Sequence, residues 1–363
     1  MLVLKVLIIG AGNGGLSFGV KLLEKGIEVN LYDKLTSVIK PIIENNSEIT
    51  LHEGEKRVIK KFGVITNDLK EGMNGVDFIF VVTPAFAHSM VMDKISEHIT
   101  NNQVIVLHPG RTGGALEAQN VLKRNGKKDI VVAEAETLLF ACRKKDDLNI
   151  EIYGTKNSVG VSTIPFNKVD DVVNSLNEML PYFDSRDTVW ETSLNNIGSI
   201  FHPIPFIFNL NKIENNNPFK FYLEGITPKI SKIMEQVDNE RIQVGKRFTN
   251  NIQTTVEWLN QKYSMSEKKL YDAIQKNKSY YNIYTPMEVN SRYVFEDIPT
   301  GLVPISQLGK LVNVSTPTID SILIIANLLY NHDFISNGRN LKAMGLDREC
   351  IGSYREYISK VIE

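Results

Sequence analysis

The chain has little cysteine: Cys142 and Cys350 are the only two in 363 residues. They show no metal-ligand spacing and offer no disulfide framework, so neither a metal module nor a disulfide-stapled scaffold is expected. An excess of one charge is also missing. The 41 Lys and Arg stand against 42 Asp and Glu, and no basic stripe interleaved with aromatics suggests nucleic acid. The longest apolar stretch, Ile322 to Tyr330, is too short to span a bilayer. Lys5 lies inside the first apolar run and no small-residue cleavage site follows it, so no signal peptide is expected. Internal repeats and low-complexity segments are absent. These gaps leave a soluble cytoplasmic protein, long enough for two domains with substantial cores.

What is present begins at once. Lys5 to Ile9 is a short apolar run that enters Gly10-Ala11-Gly12-Asn13-Gly14-Gly15. Leu16 to Lys25 then follows helical spacing and stops at Gly26, Glu28 to Tyr32 reads as a second strand, and Asp33 stands at its end. Strand, glycine turn, helix, strand and acid together form the dinucleotide-binding fingerprint in its required context. Gly10 permits the tight turn, Gly12 lets the backbone approach a pyrophosphate, and Gly15 lets helix and strand pack closely. Free amides at the helix start face the phosphate charge. Asp33 is placed to accept hydrogen bonds from ribose hydroxyls. Its carboxylate would repel a 2′-phosphate, which favours NAD over NADP, although the adjacent Lys34 pulls the other way. Gly15-Leu16-Ser17-Phe18-Gly19 also matches a hydrolase nucleophile elbow. That elbow needs its serine at the sharp turn, and here Ser17 falls inside the helix.

Farther along, Asp77 to Val82 and Gln103 to Leu107 read as buried parallel strands. Each is followed by a helical stretch, and Ile130 to Ala133 follows as another strand. The alternation predicts an α/β Rossmann-type, doubly wound parallel sheet. Ligands in such a sheet sit beyond the carboxyl ends of the strands. Gly12, Asp33, Thr83, Pro109 and Glu134 fall there, and Thr83-Pro84 is taken as part of the cofactor site. Short strand-like pieces are expected at 48–51 and 64–66 around a charged turn, at 149–153 and 159–162, and at 188–190, with a helix over 169–180. From about Ser193 long helical periods take over. Thr227-Pro228 and Thr316-Pro317 each start a helix, and Ser264-x-x-Glu267 reads as a capping box. The expected division is a dinucleotide-binding domain over 1–188 and an all-α domain over 189–363.

A nicotinamide dehydrogenase needs a proton donor and acceptor, and histidine suits that task near neutral pH. Of the six histidines, His202 stands apart, because Pro203 marks a helix end beside it. The loop from Ser291 to Pro304 carries Arg292, able to clamp an anion in bidentate fashion. It also carries the pair Glu296-Asp297, able to orient an imidazole.

These residues resemble the octopine/nopaline (opine) dehydrogenase family. The likeness runs through Gly10 to Gly15, through His108-Pro109-Gly110-Arg111-Thr112-Gly113-Gly114-Ala115-Leu116-Glu117 and through Glu134-Ala135-Glu136-Thr137. It continues through Asn196 to His202-Pro203 and through Arg292 to Pro304. The resemblance implies a Rossmann domain followed by an all-helical domain, with the active site between them. It implies NAD(P)H-dependent condensation of an amino acid with an α-keto acid to a secondary-amine dicarboxylate. His202 then resembles the catalytic histidine and Asp297 its paired aspartate. Arg292 resembles an arginine that contacts the cofactor pyrophosphate and favours closure, and Cys142 a residue near the substrate, with His108 a second substrate candidate. No metal is implied, and oligomeric state stays open, a homodimer being one arrangement. Two alternatives remain. One is a ketopantoate-reductase-like or 2-hydroxyacid dehydrogenase, which commonly uses a lysine acid. The other is a non-catalytic NAD(H)-sensing protein.

Overall fold

The opening apolar run becomes the strand about which the first sheet is wound. In the computed structural model, which describes residues 4–346, β1 (Lys5–Ile9) pairs in parallel with β2 (Glu28–Tyr32) on one side. On the other side it pairs with the later strand Phe78–Val81. Between these lie β3 (Glu48–Glu53), β4 (Lys56–Lys61) and β5 (Ile65–Thr66), which makes Phe78–Val81 β6. The remaining strands are β7 (Val104–Leu107), β8 (Val131–Ala135), β9 (Phe140–Lys144), β10 (Asn149–Thr155), β11 (Val159–Ile164) and β12 (Phe183–Ser185). The main sheet runs β12-β11-β8-β7-β6-β1-β2-β5. The chain leaves β1 toward β2 and later returns to its other side, so the carboxyl end of β1 is a topological switch point, where such sheets bind ligands.

The core follows from composition. Val6, Leu7, Ile8, Phe80 and Val106 are fully buried because helices cover both faces of a parallel sheet. Helix Asn13–Glu24 turns Leu16, Phe18 and Val20 onto this core.

Several local expectations are corrected. β11 runs antiparallel to β8, so the sheet is mixed at one end. A second sheet, β4-β3-β10-β9, was not foreseen. The expected charged turn after residue 51 is the hairpin β3–β4, whose second strand, KRVIKK, is an edge strand kept soluble by its charges. The segment Val189–Leu194 is helix, and the last strand is β12.

The chain divides into two compact units between Thr192 and Ser193. The second unit is helical: its described residues hold one isolated bridge, Lys220–Tyr284, and no longer strand. The longest helices among its described residues are Pro228–Gly245 and Pro317–Tyr330. The capping box opens at Thr254, not at Ser264. Thr254 Oγ1 accepts from the Glu257 amide at 3.1 Å, and Glu257 Oε2 accepts from the Thr254 amide at 2.8 Å. Ser264 instead ends that helix in the left-handed region, with φ 52°. Helix Pro317–Tyr330 starts without a side-chain cap of its own. Glu240 supplies one, accepting from the Thr318 and Ile319 amides at 2.9 and 3.0 Å. Leu329, in the last turn of that helix, is half exposed. Cys350 lies outside the described residues.

Candidate active site

In the first unit the glycine turn links β1 to the helix that follows it. Gly10 takes φ 109° and donates its amide to the Tyr32 carbonyl at 2.8 Å, which ties the turn to the end of β2. Gly15 is required by close approach: a Cβ there would lie 1.8 Å from the Gly10 carbonyl oxygen. A Cβ at Gly12, by contrast, would meet nothing within 4 Å. The helix starting at Asn13 has no side-chain cap. Its first amides are therefore donors available to an anion, with the positive end of the helix dipole behind them.

Asp33 is already anchored to this turn. Its Oδ2 accepts from the Ala11 amide at 2.8 Å and its Oδ1 from the Leu35 amide at 2.9 Å. Each oxygen keeps a second lone pair for a hydroxyl donor. Thr83, at the end of β6, has a buried Oγ1 with no hydrogen bond among the described residues, and its methyl group lies close to Gly10. Pro84 is exposed and extends the chain into the 3-10 turn Ala85–Ala87. Asn13 and Gly14 make other contacts. Asn13 Oδ1 accepts from the Lys144 amide at 2.9 Å, tying the turn to β9. Gly14 sits where a Cβ would press on Leu138 and Val82 at 3.0 Å. An open glycine, an uncapped helix start, an anchored carboxylate and an orphaned hydroxyl fit a dinucleotide.

His108 is not where a substrate contact is expected. It is fully buried, its ring 5.0 Å from Phe18 and 6.0 Å from Phe183. Nε2 accepts from the Leu139 amide at 3.0 Å, so Nδ1 carries the proton. Burial, helped by the charge of Lys156, lowers its pKa to about 3. The ring is a neutral core group with no face open to a substrate. Cys142 lies on β9 and is partly buried, and that burial raises its thiol pKa. Glu134, fully buried on β8, accepts from the Ala115 amide at 2.7 Å and from the Thr192 hydroxyl at 2.7 Å.

The second unit holds the ionisable pair. His202 joins two short helices, Gly198–Phe201 and Pro203–Phe208, and Pro203 begins the second where a missing amide costs nothing. His202 Nδ1 lies 2.8 Å from Asp297 Oδ2. The carboxylate is 1% exposed and the imidazole 21%. A carboxylate on Nδ1 fixes the tautomer in which Nε2 is left to accept or donate a proton outward.

These residues, 95 apart in sequence, meet because Gly301 lets the π-helical turn Ile298–Leu302 press on the helix before His202. A Cβ at Gly301 would stand 2.6 Å from Ser199 Cβ. Arg292 is exposed, and its Nε pairs with Glu296 Oε2 at 3.0 Å. One neighbour escaped the sequence reading: the Tyr293 ring stacks on His202, centroids 4.3 Å apart. Tyr293 precedes Asp297 by one helical turn, a spacing that carries no signal of its own until the plane of the ring is known.

Comparison with known proteins bears on both units. A family model described as "NAD/NADP octopine/nopaline dehydrogenase, alpha-helical domain" matches residues 185–330. One described as "Ketopantoate reductase PanE/ApbA" matches residues 6–154. An opine dehydrogenase of Arthrobacter sp. (strain 1C) is 35% identical over 339 residues, covering 93% of this chain and 94% of that protein. A solved octopine dehydrogenase with NADH and L-arginine superposes with TM-score 0.82 at 22% identity, over 96% of this chain and 98% of its own. A yersinopine dehydrogenase with NADP+ gives TM-score 0.79 at 13% identity, over 97% and 99%.

Proposed function

The chain belongs to the opine dehydrogenase family, and from that premise we propose how its residues divide the work. The protein is an NAD(P)-dependent oxidoreductase acting on CH–NH groups. It condenses an amino acid reductively with an α-keto acid to an N-(carboxyalkyl)amino acid, and runs the reverse oxidation. The observation that carries this assignment is the 35% identity to an opine dehydrogenase over nearly the whole of both chains.

We assign cofactor binding to the first unit, with residues 1–188 as the dinucleotide domain, and proton chemistry to the helical remainder. Gly10, Ala11, Gly12 and the amides after Asn13 receive the pyrophosphate, and Asp33 receives the adenosine ribose. An anchored carboxylate at that position supports NAD over NADP, by repulsion of a 2′-phosphate. When bound, the reduced cofactor supplies the hydride. Thr83 and Pro84 border the same end of the sheet, and Arg292 is assigned to the pyrophosphate. Cys142 is kept as a substrate neighbour.

His202 is the proton carrier. Forming the iminium moves two protons from the ammonium nitrogen of the amino acid to the carbonyl oxygen, which leaves as water. Nε2 of His202 takes each proton from the nitrogen and gives it to the oxygen. Asp297 holds the opposite nitrogen and stabilises the imidazolium between the two transfers. The 2.8 Å contact between them supports this division. A cytoplasmic location is part of the same proposal.

The test is a matrix of amino acids against pyruvate, oxaloacetate and 2-oxoglutarate, reading NADH and NADPH oxidation with each component omitted in turn. Oxidation that needs both amine and keto acid supports the assignment. The ketopantoate-reductase model over residues 6–154 favours one rival, a hydroxyacid dehydrogenase. Oxidation with keto acid alone would establish that rival.

A further inference from the structure

We propose that Tyr293 is a positioning residue for His202, setting the plane of the imidazole while Asp297 sets its tautomer. The inference rests on the reading of His202 as proton carrier. The two rings stack with centroids 4.3 Å apart and planes 7° from parallel, which lays one face of the imidazole against the phenol ring. The hydrogen bond from Nδ1 to Asp297 Oδ2 holds one nitrogen at 2.8 Å. A single hydrogen bond still lets the ring tilt about the nitrogen–oxygen line. A flat wall against one face removes that tilt, and the two restraints act along different axes.

Both restraints come from one short segment. Tyr293 and Asp297 are four residues apart around the turn Arg292–Phe295, and residues at that spacing share a side of a helical turn. Ser291 caps the turn, its Oγ accepting from the Tyr293 amide at 3.3 Å. The Tyr293 ring is itself braced by Phe206, edge-on at 6.1 Å, and by Phe221 at 4.9 Å. A side chain needed only to fill space would not require a plane matched to its neighbour. Phe206 lies on the helix that follows His202, so the brace and the imidazole are carried by one segment. Nε2 is thereby aimed by a frame built from both sides of the pair, and a proton donor must be aimed before its acidity matters.

The experiment compares Tyr293→Phe, Tyr293→Leu and Tyr293→Met with wild type, using the amine and keto acid pair found productive. The Phe variant keeps the flat wall, so its kcat stays within about twofold. The Leu and Met variants fill similar space without a plane, and their kcat falls roughly 10- to 100-fold while KM and NADH affinity change little. Histidine-selective ¹⁵N NMR reads the same restraint without turnover. The hydrogen-bonded Nδ1 proton of His202 stays sharp in wild type and Phe, and broadens in Leu and Met. If one aliphatic variant does not fold, the other decides.

Wild-type kcat in a folded aliphatic variant, with a sharp His202 signal, overturns the proposal. So does a Phe variant as impaired as Leu, since the hydroxyl and not the plane would then matter. Should His202 prove dispensable for turnover, the functional reading fails, and the NMR signal still reports whether Tyr293 fixes the ring.

Discussion

Gly15 lies so near Gly10 that any side chain on it would run into the Gly10 carbonyl oxygen, 1.8 Å from an added Cβ. At Gly12, two residues beyond Gly10, an added Cβ would meet only open space. The two glycines of one turn therefore serve different ends, one packing and one access.

Replacing each with alanine separates those ends. Gly15→Ala must push the helix off the turn and lowers stability by about 1–3 kcal/mol, the usual cost of overpacking. Gly12→Ala leaves stability within about 0.5 kcal/mol, because its φ of −83° suits alanine. It still weakens NADH binding, since the new methyl group occupies the approach of the phosphates. Thermal unfolding and NADH fluorescence titration on both variants check the contrast.

Asp297 is buried at 1% exposure with its carboxylate on His202 Nδ1. Asp297→Asn keeps the size and removes the charge that stabilises an imidazolium. Turnover is expected to fall about 10²- to 10⁴-fold, the range seen when a histidine loses its orienting carboxylate. NADH affinity should not change. Steady-state kinetics beside a binding titration separate the two.

His108 predicts a pH effect on stability. Its pKa falls from 6.5 to about 3 on folding, because burial penalises the charged ring. The unfolded chain therefore binds more protons than the folded one between those values. Stability is full above pH 6.5 and declines as pH drops through that window. From pH 7 to pH 5 this residue alone removes about 2 kcal/mol. His108→Gln cannot titrate, so urea unfolding at the two pH values should show the variant losing about 2 kcal/mol less than wild type. Equal losses would mean the ring is not held neutral.

The capping of helix Thr255–Tyr263 gives a sharper contrast within one helix. Thr254→Ala removes the side-chain half of the capping box and costs about 1 kcal/mol. Ser264 closes the helix through its backbone amide, which bonds the Asn260 carbonyl, and sits at φ 52°, so Ser264→Gly keeps that bond, relieves strain and is neutral to stabilising. Denaturant midpoints of the two variants should move in opposite directions or differ by at least that margin.

The Rossmann-type sheet was legible because its strands are continuous apolar runs and its turn needs glycine at fixed offsets. The second sheet was not. β4 reads KRVIKK, in which charge hides an alternation that matters only once the partner strand is known. Thr188 to Trp190 has β-branched and aromatic residues, yet Val189–Leu194 is a helix, since tertiary contacts such as Thr192 to Glu134 outweigh a weak local preference. Ser264 and Glu267 matched a capping pattern, but Asn260 binds both the amide and the carbonyl of Glu267 and takes that segment elsewhere. The proximity of His202 and Asp297 could not be derived from residues so far apart. It was suggested by the resemblance of both segments to one family. Tyr293 went unnoticed because a tyrosine beside an arginine in a loop carries no chemistry until its ring is seen to lie flat on another.

His202→Ala tests the central claim most directly, read by turnover of the productive amine and keto acid pair and by NADH titration of the same sample. The account predicts turnover reduced by at least about a hundredfold, with NADH affinity close to that of wild type. Turnover that survives the substitution would contradict it.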